Sequence, residues 1–211
     1  MDPTTLATQE RDEFADLLAG LNDRQWNAPS LCGGWRIRDV AAHVIAYLDR
    51  SRAAFTATLA KHRLNLDRLN AADVHGFSPC PPEHIVGMMR DHATPRGVGS
   101  GFGGRVALVE CMIHQQDVRR PLNLPRAIPP ERLIVALEFA TMAPLIRGGW
   151  YTRGVRLIAT DLEWSTGRGP EVRGSGEAIL MAMARRPSTF ADLTGPGVKI
   201  LSQRGRSDRN R

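Results

Sequence analysis

A chain of 211 residues with 42% hydrophobic and 24% charged residues has the make-up of a soluble globular protein, long enough for one large domain or a bundle with a small second module. No apolar run approaches membrane-spanning length, and Met1-Asp2-Pro3-Thr4 shows no basic region leading into an apolar core, so the cytoplasm is the expected location. The net charge of +6 is no nucleic-acid signature: half of it comes from Arg204, Arg206, Arg209 and Arg211 against Asp208, without aromatic–basic alternation, zinc-finger spacing or an RNA-binding motif.

Leu6 to Leu21 reads as an amphipathic helix with Leu6, Phe14, Leu17, Leu18 and Leu21 on its apolar side. Asn27-Ala28-Pro29-Ser30 breaks it, and Cys32-Gly33-Gly34-Trp35 turns the chain into a second helix over about 37–59. Residues 62–82 are less regular. Pro81-Pro82-Glu83 opens a third helix to about His92. A Gly-rich loop over 94–104 precedes a fourth helix over 105–120. A connector over 121–130 leads to a fifth helix over 131–146. The character then changes. Strands are expected at 154–160, 162–165 (continuing the first or pairing with it), 171–173 and 198–201, with a helix over 176–185 capped by Ser175. The expected organisation is a helical part, 1–148, a small α+β module, 149–203, and a disordered basic tail, 204–211.

The fourth helix carries the strongest chemical signal. At 100° per residue, Glu110, His114 and Asp117 fall within about 60° of one another, while Val106, Leu108, Val109, Met112, Ile113 and Val118 cover most of the remaining circumference. A helix apolar on most sides is usually buried, and a carboxylate and an imidazole there must pair or bind a metal. Glu and His four apart supply half of a metal site. The alternative is an ordinary hydrogen-bonded pair. Cys111 is a rival ligand, read instead as a packed small hydrophobe because it lies beyond His114 from the acids. Asp117 is either a group orienting a ligand or half of an ion pair with an arginine. His43 sits at the edge of the second helix's apolar stripe (Ile37, Val40, Ala41, Val44, Leu48), with Asp39 one turn before it and Tyr47 one turn after. It is either a satisfied core-edge histidine or a group facing a cavity between helices, and Asp39 has the same two readings as Asp117. His62, His75, His84 and His92 read as surface or capping residues. Cys32, Cys80 and Cys111 have no metal-like spacing and read as reduced thiols.

Two segments carry a resemblance. Leu31-Cys32-Gly33-Gly34-Trp35-Arg36-Ile37-Arg38-Asp39-Val40-Ala41-Ala42-His43 resembles the L-C-x-G-W-x-x-x-D-x-x-A-H signature of the mycothiol-dependent maleylpyruvate isomerase family. Glu110 to Leu122 is similar to its second signature, an acid, three residues, then H-x-x-D-x-x-x-P-L. Thr160-Asp161, Trp164, 169–174 and 193–198 are similar to the family's small C-terminal module. The resemblance implies a mainly α fold, a DinB-like up-down four-helix bundle followed by a small α+β module. It implies a divalent metal, usually zinc, on His43, Glu110 and His114, and mycothiol as thiol cosubstrate.

Two histidines and one carboxylate leave a tetrahedral metal with an open position, as catalytic sites do. The expected chemistry is isomerisation or S-transfer, with a low-molecular-weight thiol activated to attack an electrophilic small molecule. The alternatives are a metal-dependent hydrolase on the same bundle and a non-catalytic metal-binding or dimerisation module. Arg119, Arg120 and Arg173 are weak candidates for substrate carboxylates. No nucleic-acid or membrane partner is expected, and a homodimer is left open. Gly99 to Gly104 satisfies G-x-G-x-x-G, but no strand precedes it, so a loop gating the metal pocket is expected rather than a nucleotide site.

Overall fold

The computed structural model describes all residues except Asp49, Ser78, Pro144, Leu145, Arg147, Asn210 and Arg211, with side chains described as far as Gly205. It is mainly helical and divides into two compact units, Met1–Pro125 and Arg126–Arg211.

In the first unit, α1 (Pro3–Ala19) begins where Asp2 accepts the Thr4 and Thr5 N–H groups at 3.1 and 3.3 Å. Pro3 occupies the first turn, where no amide donor is needed. A short helix, α2 (Asp23–Trp26), is closed by reciprocal bonds between Asn22 and Gln25. Then come α3 (Ile37–Ala46), α4 (Arg52–Lys61), α5 (Leu66–Phe77), α6 (Pro82–Asp91) and α7 (Arg105–Arg119). Helix α1 packs on α6 and α7, and α3 packs on the same two, which closes a four-helix ring. Phe14, Leu18, Ile37, Val40, Val44, Ile85, Met89 and Val118 fill it. Burying a side chain such as Phe14 or Leu18 stabilises the unit by about 1.5–3 kcal/mol. Gly104 opens α7 at φ 87°, and a Cβ there would stand 2.9 Å from Thr4 Cα, so only glycine lets α7 start against the first turn of α1.

The second helix is not continuous over 37–59. Helix α3 ends at Ala46, and Ser51 starts α4 afresh, its hydroxyl accepting the Ala54 N–H at 3.1 Å. No residue of α4 is buried, so apolar periodicity could not mark the break. Asp49, within the expected helix, lies outside the described residues. The stretch left irregular contains α5, capped by Asn65 Oδ1 on Arg68 N–H at 2.9 Å. Only Leu69 of α5 is buried, which explains its faint pattern. The Gly-rich segment is a run of turns without a preceding strand, tied down by Val98 N–H on Arg50 O at 2.9 Å.

The second unit contains α8 (Pro130–Met142), α9 (Gly148–Tyr151), β1 (Arg156–Ala159), β2 (Ser165–Gly167), β3 (Glu171–Gly174), α10 (Gly176–Met183), a 3-10 turn (Pro187–Asp192) and α11 (Val198–Arg209). The sheet order is β2-β1-β3, with β1 antiparallel to β2 and parallel to β3. Helix α8 packs on α9 and α10 within this unit, so the division falls at Pro125 rather than at residue 148. The segment Val198–Leu201 is helical, not a strand. The strand-like pairing falls earlier, where Thr194 and Arg173 exchange two backbone bonds of 2.8 Å before the Gly195-Pro196-Gly197 turn. Helix α11 also takes in residues 204–209 of the expected tail, and Arg204 Nη1 donates to Tyr151 O and Arg153 O at 2.6 and 2.7 Å. Among the described residues no helix is long and apolar enough to cross a membrane.

Candidate metal centre

The loop before α3 is a closed hairpin. Ile37 N–H donates to Ala28 O at 2.9 Å, Pro29 bridges to Arg36, and Trp35 N–H donates to Cys32 O at 3.0 Å. Asp39 serves this loop rather than His43: its carboxylate accepts the Arg36 backbone N–H at 2.9 Å and the guanidinium at 3.2 Å, starting α3. His43, two turns into α3, is 7% exposed. Its ring lies 5.2 Å from that of Trp35 and 5.1 Å from that of Tyr47, and meets the His114 ring edge-on at 4.9 Å. Tyr47 is held in turn by its hydroxyl donating to Asn70 Oδ1 at 2.7 Å.

Helix α7 presents Glu110, His114 and Asp117 as its periodicity demands. Glu110 Oε1 stands 3.8 Å from His43 Nε2, beyond hydrogen-bond range. Burial pushes the Glu110 carboxyl up from the usual carboxylate range, against the lowering influence of His114 and Arg11. On the next turn, His114 Nδ1 lies 3.0 Å from Asp117 Oδ2, and the Cys32 thiol donates to the same oxygen at 3.1 Å. Burial works to lower the His114 pKa, but the hydrogen bonds and charges of Asp117 and Cys32 outweigh it and hold it up at about 10. Asp117 is completely buried.

These side chains form one set with metal-ligand spacing and a looser cluster that shares His114 with it. Cys32, His114 and Asp117 offer ligand atoms within 4.8 Å of one another and make a candidate metal site. His43, Glu110 and His114 come together across α3 and α7, with the contacts just described. Two imidazoles and a carboxylate whose burial is poorly compensated fit a divalent cation. The Cys–His–Asp arrangement is not a nucleophile–base–acid relay, because thiol and carboxylate both meet Nδ1 of the ring, at 3.9 and 3.0 Å.

The other expected residues have contacts of their own. Cys111 is buried, with its thiol 3.9 Å from Glu10 O. Arg119 donates to Gln115 Oε1 at 2.8 Å, Arg120 is half-buried at the C-terminal end of α7, and in the second unit the exposed Arg173 side chain pairs with Glu171 at 2.9 Å on β3. His62 and His92 are the C-caps of α4 and α6. The residue that sequence reasoning passed over is Cys32. Its signal was its place in the first signature, eleven residues before His43 on the hairpin that leads into α3.

Residues 7–95 match the family model of the mycothiol maleylpyruvate isomerase N-terminal domain, a range that holds Cys32 and His43 but not the α7 residues. Two solved structures are similar over 92% of this chain and 91% of theirs. One is the mycothiol-dependent maleylpyruvate isomerase, at 15% identity and a TM-score of 0.53. The other is a histidine-to-alanine mutant of the mycothiol-dependent maleylpyruvate isomerase, at 14% identity and a TM-score of 0.54. At such identities the likeness is one of fold. No curated protein matches the chain. The chain thus resembles the mycothiol-dependent maleylpyruvate isomerase family, in a helical bundle followed by a small C-terminal module.

Proposed function

We propose that this chain is a mycothiol-dependent isomerase or S-transferase whose first unit holds a divalent metal, zinc, on His43, Glu110 and His114. The observation that carries the reading is Glu110: a carboxylate pushed toward protonation by burial, with His43 Nε2 at 3.8 Å and His114 acting on it electrostatically from the next turn of α7. A cation would relieve that burial, whereas Asp117 already accepts from His114 and Cys32.

A divalent metal supplies Lewis acidity that turns a thiol into a nucleophile at neutral pH. The chain's own residues do the rest. Asp117 holds the Nδ1 proton of His114, leaving Nε2 as the ligand atom. Trp35 and Tyr47 flank His43 and limit water around it. Thiolate addition to a conjugated carbon–carbon double bond, rotation about the resulting single bond and expulsion of the thiolate give an isomer. Where the enolate left by addition takes up a proton from solvent instead of expelling the thiolate, the S-adduct is the product.

The alternative ligand set, Cys32, His114 and Asp117, is favoured by donor spacing alone. The test is the metal content of purified wild type beside His43→Ala, followed by titration of mycothiol into the metal-bound form. One equivalent of metal, lost in the variant, together with thiol binding supports the proposal. Metal without thiol binding moves the assignment to a hydrolase or a non-catalytic metal-binding module.

A further inference from the structure

We infer that Cys32 is a positioning residue for His114, acting through Asp117 rather than as a metal ligand. The inference rests on the proposed His43, Glu110 and His114 site. Three observations carry it. The Cys32 thiol and the His114 ring both address one oxygen, Asp117 Oδ2, at 3.1 and 3.0 Å. That carboxylate is completely buried, so its acceptor capacity must be met by protein donors, and a thiol on a half-buried loop is one of them. The backbone repeats the link: Leu31 N–H donates to Asp117 O at 3.1 Å, so the residue before Cys32 is bound to the residue that orients His114.

The loop is in turn fixed within itself. The Ser30 hydroxyl accepts the Cys32 N–H at 3.1 Å, and Trp35 N–H donates to Cys32 O at 3.0 Å. Cys32 therefore has little freedom to approach a metal on the far side of the imidazole. Its thiol limits the rotation of the Asp117 carboxylate, and the carboxylate sets which nitrogen of His114 keeps the proton. Losing the thiol removes one of the contacts that hold the carboxylate and so loosens its hold on the ring. A hydroxyl at the same place would keep a donor there.

The experiment uses the full chain loaded with zinc or cobalt(II): wild type, Cys32→Ala, Cys32→Ser and His43→Ala. Affinity is read by competition with a chromophoric chelator, and the cobalt spectrum is read in the near ultraviolet. Far-ultraviolet circular dichroism confirms that each variant is folded. Loss of an outer-shell partner of a metal ligand weakens affinity by about 10–100-fold. The expected result is a loss of that size in Cys32→Ala, recovered in Cys32→Ser, with no thiolate-to-cobalt band in wild type. A Cys32→Ala variant that binds as tightly as wild type, while His43→Ala does not, overturns the inference alone. A thiolate-to-cobalt band that disappears in Cys32→Ser overturns it too, making Cys32 a ligand. Affinity unchanged in His43→Ala, or no metal bound by wild type, overturns the underlying site and this inference with it.

Discussion

Replacing Asp117 with Asn isolates the group that governs His114. In the metal-free wild type the imidazole, partnered by Asp117 at 3.0 Å and by Cys32, titrates at about 10 instead of 6.5. The amide introduced by Asp117→Asn can still accept a hydrogen bond but carries no charge, so burial, the largest single influence on the ring, is opposed mainly by Cys32 and the midpoint falls below that of wild type. The gap from 6.5 to about 10 corresponds to on the order of 5 kcal/mol between the protonated and neutral ring. Because the folded-state value lies above the unfolded one, this stabilisation is complete below pH 6.5 and is lost as pH rises through about 10. Metal-free wild type should therefore melt at progressively lower temperature between pH 7 and 10, while the melting temperature of Asp117→Asn should fall less across that window. Proton–carbon correlation NMR of the His114 ring gives the midpoints directly. A wild-type midpoint near 6.5, or one that stays near 10 in Asp117→Asn, would refute the reasoning.

Three further outcomes follow from the same geometry. Zinc affinity, measured by chelator competition, should rise about tenfold per pH unit from neutrality toward pH 10, since His114 must give up its proton to bind. Phe14→Ala should cost about 3–5 kcal/mol in denaturant unfolding, because the side chain is wholly buried among the four packed helices. Gly104→Ala should lower Tm through at least about 1–2 kcal/mol of left-handed backbone strain, with the approach to Thr4 Cα adding to it.

What was legible in the sequence followed burial. Helices α1, α6 and α7 carry continuous apolar faces, and their expected spans agree with the observed ones to within a few residues. The α7 polar stripe could be read because a helix buried on most sides leaves few places for charge. Helices α4 and α5 could not be read that way, since they bury almost nothing, and their starts depend on the side chains of Ser51 and Asn65. Val198-Lys199-Ile200-Leu201 is short, and so brief a segment has no period that separates strand from helix. Asp39 and Asp117 illustrate the limit for the site. Each stands within four residues of a candidate ligand, yet one caps a helix and the other orients a ring. What separates them is a neighbour, Arg36 for the first and Cys32 for the second, that spacing on a single helix does not include.

The bond from Leu31 N–H to Asp117 O has a consequence for how fast and how tightly the centre could load. It fastens the hairpin that launches α3 to the last turn of α7, so the helices bearing His43 and His114 share a brace, three residues beyond His114 and on the loop that leads into the helix of His43. If His43 and His114 hold the proposed metal, the two rings would act as a preassembled chelate rather than as separate arms that a cation must gather. The ordering entropy is met when the chain folds, and a second ligand adds at high effective concentration once the first has bound. Loaded and metal-free forms should accordingly superimpose closely, and the rate of metal release should be set by breaking both imidazole contacts within one rigid frame.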